Sequence, residues 1–140
     1  MAPETIANTV KNRERIRYHE TDTSGFAGER AALYLCDSGR SEFLSRLHEI
    51  NEMLKESTLA FRTITIHIHI NDNDCVYDDE IEISTDAKIN EDGKIKFEYI
   101  LTRLDDGIEF AHGYTEHILQ RDGEKLDINK VKDVFEGLAG

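Results

Sequence analysis

Between Tyr18 and Arg30 the chain sets acids, hydroxyls and glycines at a spacing that can do acyl chemistry. The segment runs Tyr18-His19-Glu20-Thr21-Asp22-Thr23-Ser24-Gly25 and continues through Phe26, Gly28, Glu29 and Arg30. Gly25 and Gly28 let the backbone bend sharply. A helix that begins just beyond them presents unpaired N–H groups at its first turn. Those groups, with the helix dipole behind them, can hold an oxyanion. Asp22 lies seven residues before Glu29, near enough to reach the same space. A carboxylate as base or nucleophile, with N–H donors for the oxyanion, is the minimum equipment for acyl transfer or hydrolysis. Asp, Thr and Ser ahead of a helix also serve simply as caps.

The elements that must position these residues are readable from hydrophobic spacing. Ala31–Leu47 contains no proline and places Leu35, Gly39, Phe43 and Leu47 on one face. Leu33, Cys36 and Leu44 widen that face, which predicts a helix buried on most sides. Gly39 at its centre weakens the helix and is expected to permit close packing. Upstream, Arg13–His19 reads as a short strand, and residues 1–12 read as a loose leader. Residues 51–57 suggest a further helical turn. From Leu59 to Leu119 the pattern is one of strands. Ile64, Ile66, Ile68 and Ile70 alternate with polar residues, a half-buried strand signal. Glu80–Ile89 and Ile95–Leu101 alternate likewise, joined by a turn at Asp92-Gly93. Turns at Asp105–Gly107 and Arg121–Glu124 bracket Ile108–Leu119. Ile128, Val131, Val134, Phe135 and Leu138 suggest a C-terminal helix. The expected architecture is a single α+β domain spanning 1–140, with an antiparallel sheet of about five strands and one long helix across it.

Composition narrows the function classes. The 140 residues carry 17 Lys and Arg against 29 Asp and Glu, a net charge of −12. Such a surface repels nucleic-acid backbones and anionic lipid, so neither is an expected partner. No apolar stretch approaches the ~20 residues that span a bilayer. Met1–Asn12 holds no hydrophobic run, so no secretory signal is expected. Cys36 and Cys75 do not make a disulfide framework, which points to a reducing, cytoplasmic setting. The one dense basic run is Lys11, Arg13, Arg15 and Arg17. Alternation puts Arg13, Arg15 and Arg17 on one strand face. They are either a contact for a phosphate or acidic carrier, or a solvated strand face.

Other constellations carry less. His67 and His69 share a strand face near Asp72 and Asp74, yet no third ligand follows at a clear spacing. No metal or other cofactor is expected. His112 and His117 fall on opposite faces. Cys36 reads as a small core residue. Arg40 and Glu42 read as a structural ion pair.

The motif Tyr18-x-Glu20-Thr21-Asp22-x-x-Gly25, followed by Arg40-x-Glu42-Phe43-Leu44, resembles the 4-hydroxybenzoyl-CoA thioesterase family of hotdog-fold proteins. Val76-Tyr77-Asp78-Asp79-Glu80-Ile81 is similar to that family's aromatic-Gly-Asp-Glu strand start. Lys96-Phe97-Glu98-Tyr99 and Gly113-Tyr114-Thr115-Glu116-His117 resemble its last two strands. The match covers about residues 13–128. The resemblance implies a hotdog fold, a sheet wrapped around one helix. It implies Asp22 as the carboxylate that attacks a thioester or activates water, and Glu29 as donor of an oxyanion-hole N–H. Gly25, Phe26, Gly28 and Arg30 would shape the substrate site. The implied substrate is an acyl thioester of coenzyme A or acyl carrier protein, bound by a homodimer or homotetramer. The chain departs from the family at Gly28-Glu29-Arg30-Ala31-Ala32, and it has Asp37 and Gly39 where Glu and Ala are usual. The acyl pocket is therefore expected to be reshaped. Two further readings stay open: a hotdog enzyme of polyketide biosynthesis acting on a carrier-bound chain, and a non-catalytic acyl-binding protein.

Overall fold

The computed structural model describes residues 4–5, 9–47, 52, 59–71 and 74–136. In chain order these form β1 (Glu4–Thr5), β2 (Val10–Arg15), a 3-10 turn (Tyr18–Glu20) and α1 (Glu29–Ser45). Then come β3 (Leu59–Ile70), β4 (Glu80–Ile89), β5 (Ile95–Arg103), β6 (Glu109–Arg121), β7 (Glu124–Lys125) and α2 (Ile128–Glu136). One antiparallel sheet holds every strand. β1 and β2 both pair with β4, and β5, β6 and β3 follow in that order. β7 is the short return of a hairpin from β6. Helix α1 packs across one face of the sheet, chiefly on β2, β4 and β5.

Strict alternation builds the sheet. Along β4, Ile81, Ile83, Thr85, Ala87 and Ile89 are buried, while Glu80, Glu82, Ser84, Asp86 and Lys88 between them are only half-buried. The turn to β5 places Gly93 at φ +82°, a left-handed conformation that glycine adopts without strain. α1 sinks Ala31, Ala32, Leu35, Cys36 and Phe43 into the inner face, and Phe43 meets Phe97 edge-on at 5.7 Å. Among the described residues no helix is long and apolar enough to cross a membrane.

The structure departs from expectation in several places. Residues 4–5 and 10–12, read as part of a loose leader, are strand paired to β4. The edge of β4 offers backbone groups that any sequence can satisfy, so little side-chain signal marks this pairing. α1 begins at Glu29 rather than Ala31. Leu33, expected to widen its buried face, is 40% exposed. The turn expected at residues 51–57 lies outside the described residues except Glu52, which is helical. Of the C-terminal helix, Val131 is buried, while Leu138 and the side chains of Val134 and Phe135 lie outside the described residues.

β3 differs most. A bulge between Thr63 and Thr65 shifts its register against β6. A bulge inserts one residue and so switches which parity faces inward. Leu59, Phe61 and Thr63 face inward before it, and Ile66, Ile68 and Ile70 after it. β3 is also the last strand of the sheet, so Ile64, Ile66 and Ile70 stay exposed.

Gly39 sets the distance between helix and sheet. A Cβ there would lie 2.6 Å from Ile83 Cγ2 and would collide with Thr85 Oγ1. Both neighbours are β-branched, buried and stiff at χ1. Alanine would gain about 1 kcal/mol of helix propensity, and overpacking of a filled core costs about 1–3 kcal/mol. Gly39→Ala is therefore expected to lower the urea midpoint despite its better helix propensity. A raised midpoint would show that the helix can lift without cost.

Candidate functional site

The site begins as a self-built loop. The Glu20 carboxylate, itself buried, accepts the Arg17 backbone N–H at 2.8 Å and the Arg17 guanidinium at 3.2 Å. That hydrogen bond raises the Arg17 pKa above its usual value. The same guanidinium lies 3.6 Å over the Tyr34 ring of α1, a cation–π contact tying loop to helix. Thr21 Oγ1 donates to the Tyr18 carbonyl at 2.7 Å. Thus Tyr18, Glu20 and Thr21 of the motif serve to build the turn that presents Asp22.

Asp22 is fixed by its own loop. Its Oδ1 accepts the N–H groups of Ser24 at 2.8 Å and Phe26 at 3.1 Å. Its N–H donates to the Phe26 carbonyl at 2.8 Å, and Gly25, at φ +85°, donates back to the Asp22 carbonyl at 3.0 Å. Phe26 bridges to Val76, and Ala27 donates to the Cys75 carbonyl. Arg103 anchors that second loop through the Asp74 carbonyl, Asp106 and Asp79.

α1 starts at Glu29 with Gly28 as its N-cap, and no side chain caps it. Its first N–H groups therefore have no side-chain cap among the described residues. A groove of about 620 Å³ opens here, lined by Glu20, Thr21, Asp22, Thr23, Gly28, Glu29, Arg30 and Ile70. The structure therefore brings Asp22, Gly28, Glu29 and Arg30 together. Gly25 and Phe26 lie behind the groove and shape the loop rather than the lining. Ile70, contributed by β3, was not read as a site residue, because nothing local links it to the motif.

No protein-family model matches the sequence, and no curated protein matches it either. Solved structures do match. A 1,4-dihydroxy-2-naphthoyl-CoA thioesterase from Synechocystis superposes with a TM-score of 0.78 at 13% identity, covering 95% of this chain and 99% of that one. A probable thioesterase from Escherichia coli gives 0.78 at 14%, covering 93% and 98%. A hypothetical protein from Aquifex aeolicus gives 0.76 at 20%, covering 90% and 98%. The fold is the hotdog fold. At these identities the likeness carries the fold and leaves the chemistry to the site.

The hotdog sheet disposes of the remaining candidates. Arg15 donates to the Asp78 carbonyl at 3.0 Å and pairs with Glu80 at 3.6 Å. Arg17 belongs to Glu20 and Tyr34. Arg13 is exposed and has no ion pair among the described residues. His67 stacks on Tyr114 and His69 leans on His112, while Asp72 lies outside the described residues. Arg40 does not pair with Glu42, since residues two apart leave a helix in different directions. It bonds Asp37 at 2.7 Å, and Glu42 pairs instead with Arg46.

Arg40 opens a buried polar relay with no sequence signal. It reaches Tyr99 Oη at 3.3 Å, which meets Thr115 Oγ1 at 2.7 Å. Thr115 Oγ1 meets His117 Nε2 at 2.8 Å, and His117 Nδ1 meets Thr63 Oγ1 at 3.1 Å. Phe61 and Phe97 set their ring edges and faces around the imidazole. Burial, helped by the Arg40 charge, pushes the His117 pKa down to about 4 from 6.5. Burial likewise pushes Tyr99 up to about 12.

This relay predicts an acid-sensitive core. Between pH 6.5 and 4 the unfolded His117 binds a proton that the folded one refuses. Stability is complete above pH 6.5 and falls as pH drops toward 4, by about 3 kcal/mol in all. Urea midpoints of the wild type and His117→Gln, taken at pH 7 and pH 4.5, test this. The wild type should lose more than the variant on acidification. Equal losses would assign the acid sensitivity to the surface carboxylates.

Proposed function

We propose that this chain is a thioesterase that hydrolyses an acyl thioester of coenzyme A or of an acyl carrier protein. The observation that carries the reading is the convergence of Asp22 and the uncapped N-terminus of α1 on one groove. The two loop N–H groups on Oδ1 hold the Asp22 carboxylate in one orientation, and Oδ2 accepts no hydrogen bond among the described residues. That carboxylate attacks the thioester carbonyl or takes a proton from the attacking water. In either route the carbonyl oxygen gains negative charge as the tetrahedral intermediate forms. The Glu29 N–H, reinforced by the helix dipole, stabilises that charge until the C–S bond breaks. In the base route the departing thiolate takes the proton held by Asp22. In the nucleophilic route water then hydrolyses the acyl-Asp22 anhydride to free acid and carboxylate. The Glu29 side chain is exposed, so its part in the reaction is its amide.

Charge and assembly follow from the same placement. With Arg15 and Arg17 engaged by acids, Arg13 and Arg30, which have no ion pair among the described residues, are the cations of the motif region we assign to the phosphates of a carrier. A carrier approaching a −12 surface needs such local charge, since screening sets in over about 8 Å. The open edge of β3 suits pairing with a second copy, which would hide its backbone groups. We infer a homodimer at least. Two buried free cysteines suit a reducing, cytoplasmic setting. A non-catalytic acyl-binding protein is the second reading, favoured by the loop-building bonds that Asp22 makes.

Asp22→Asn separates the two. Asparagine keeps an Oδ1 acceptor for Ser24 and Phe26 but cannot act as base or carboxylate nucleophile. Thiol release should fall by about 10²-fold or more with the urea midpoint little changed. Activity within a few-fold of wild type would end the catalytic role. Glu29→Ala retains the amide and should keep most turnover; a loss as large as that of Asp22→Asn would move the chemistry to the Glu29 side chain.

Light scattering at micromolar concentration should give at least twice the 16.1 kDa chain mass. A monomer would remove the β3 interface from the proposal.

A further inference from the structure

The inner face of β3 is only partly covered: Leu59 is buried and Phe61 and Ile68 pack against the core, while Ile66 and Ile70 stay exposed. Ile66 pairs with Thr115, Ile68 with Gly113 and Ile70 with Ala111. Directly opposed residues share a face, and Thr115 and Ala111 are buried on the inner one. The three isoleucines therefore form a straight apolar rail on that face. Yet Ile66 is 57% exposed and Ile70 36%, while Ile81 and Ile83 on β4 are fully buried. α1 packs most closely on β2 and β4 and more lightly on β5 and β3.

The rail is continuous with the groove of the reaction. Ile70 lines the same groove as Asp22 and Glu29. Leu33 of α1 is 40% exposed. It lies seven residues before Arg40 and so on the same side of the helix. Arg40 reaches Tyr99 of β5, which turns that side toward β5 and the strands beyond. At the far end the apolar surface stops. The next inward residue beyond Ile66 is Thr63, bonded to His117.

We propose that the rail holds the acyl chain and selects straight aliphatic acyl groups of about ten carbons. The proposal rests on the thioesterase reading of the same groove. From Ile70 to Ile66 is four strand steps of about 3.3 Å, or about 13 Å. Bonds of about 1.5 Å set in a zigzag cover that length with roughly ten carbons. Each methylene laid on the rail should tighten binding roughly fourfold. Past Thr63 and His117 further methylenes meet polar groups and should add nothing.

The test uses S-alkyl coenzyme A thioethers, which bind without being hydrolysed. Calorimetry with butyl, hexyl, decyl and tetradecyl thioethers should give affinity rising at least a hundredfold from butyl to decyl, then level. Ile66→Trp fills the far end of the rail from a mostly exposed position. It should cost the decyl ligand at least tenfold and the hexyl ligand less than twofold. Leu33→Trp, on α1, should impose a similar cut-off and stands in if the first variant does not fold. Affinity independent of chain length overturns the rail. So does an unmoved chain-length profile in Ile66→Trp accompanied by loss of the dimer mass, which would make the rail an interface between copies. The two readings fail separately. A chain-length gradient without thiol release from decanoyl-CoA keeps the rail and ends the hydrolase. Thiol release without a gradient does the reverse.

Discussion

The close approach of α1 to the sheet at Gly39 is the contact on which the rest of the architecture depends. With no Cβ at that position, the helix settles onto Ile83 and Thr85 of β4. The small residues Ala31 and Ala32 continue that intimacy toward the helix start, where both are fully buried. A helix held this low drives Leu35 and Phe43 into the inner face, where Phe43 meets Phe97. The arrangement has costs. Glycine inside a helix gives up about 1 kcal/mol, and the Thr85 hydroxyl is buried without a partner. What it fixes is the position of the helix N-terminus relative to the sheet. A donor group aimed at a developing charge is effective only when its position is set before the reaction begins.

The loop that carries Asp22 is positioned by a different set of contacts, and the two sets meet at one side chain. Arg17 bonds Glu20 within the loop and lies over Tyr34 of α1. Loop and helix are thus held together by a charged pair whose carboxylate is buried and whose cation is shared with a ring. On the opposite side, Arg103 secures the Cys75 loop, and that loop hydrogen-bonds Ala27. The basic residues of this acidic chain are therefore largely structural. Lys11, Arg15, Arg17, Arg40 and Arg103 each face a carboxylate. The excess of acids is not simply a solubilising coat; part of it orders the loops around the site.

How much of this the sequence discloses depends on how local each contact is. β4, β5 and β6 are legible because burial on one face imposes a period of two, and the Asp92-Gly93 turn is legible because it needs a left-handed glycine. The groove is legible because Asp22 and Glu29 are seven residues apart and on either side of a bend. What is not legible is everything made by register. The bulge in β3 turns four isoleucines that alternate perfectly into one bulge residue and three inward ones, and no residue type marks the switch. Ile70 joins Asp22 only because β3 ends beside the loop. The pairing of residues 4–5 and 10–12 with β4 rests on the backbone ladder, with side-chain support from buried Val10 and the Lys11–Glu82 pair that only the register brings together. Arg40 suggests a salt bridge to Glu42 by proximity in sequence, but helical geometry sends it to Asp37 and Tyr99.

The polar relay explains why the inner face is divided. Thr63, His117, Thr115, Tyr99 and Arg40 come from four elements, and each bonds the next. Asp37 ends the chain of bonds in solvent. A buried polar network that is fully satisfied is rigid, whereas one with a missing member leaves a desolvated group unpaired. The relay therefore acts as a fixed seam across the inner face. On one side lies the dry core beneath α1, packed on Phe97 and Ile83. On the other lies the row of Ile66, Ile68 and Ile70, in which Ile68 packs against the core and Ile66 and Ile70 are exposed. Extending the helix cover across the seam would bury Arg40 and Asp37 away from water, which is expensive for two charges. The core reaches β3 at Leu59, Phe61 and Ile68, and the apolar surface left beside the groove is that of Ile66 and Ile70.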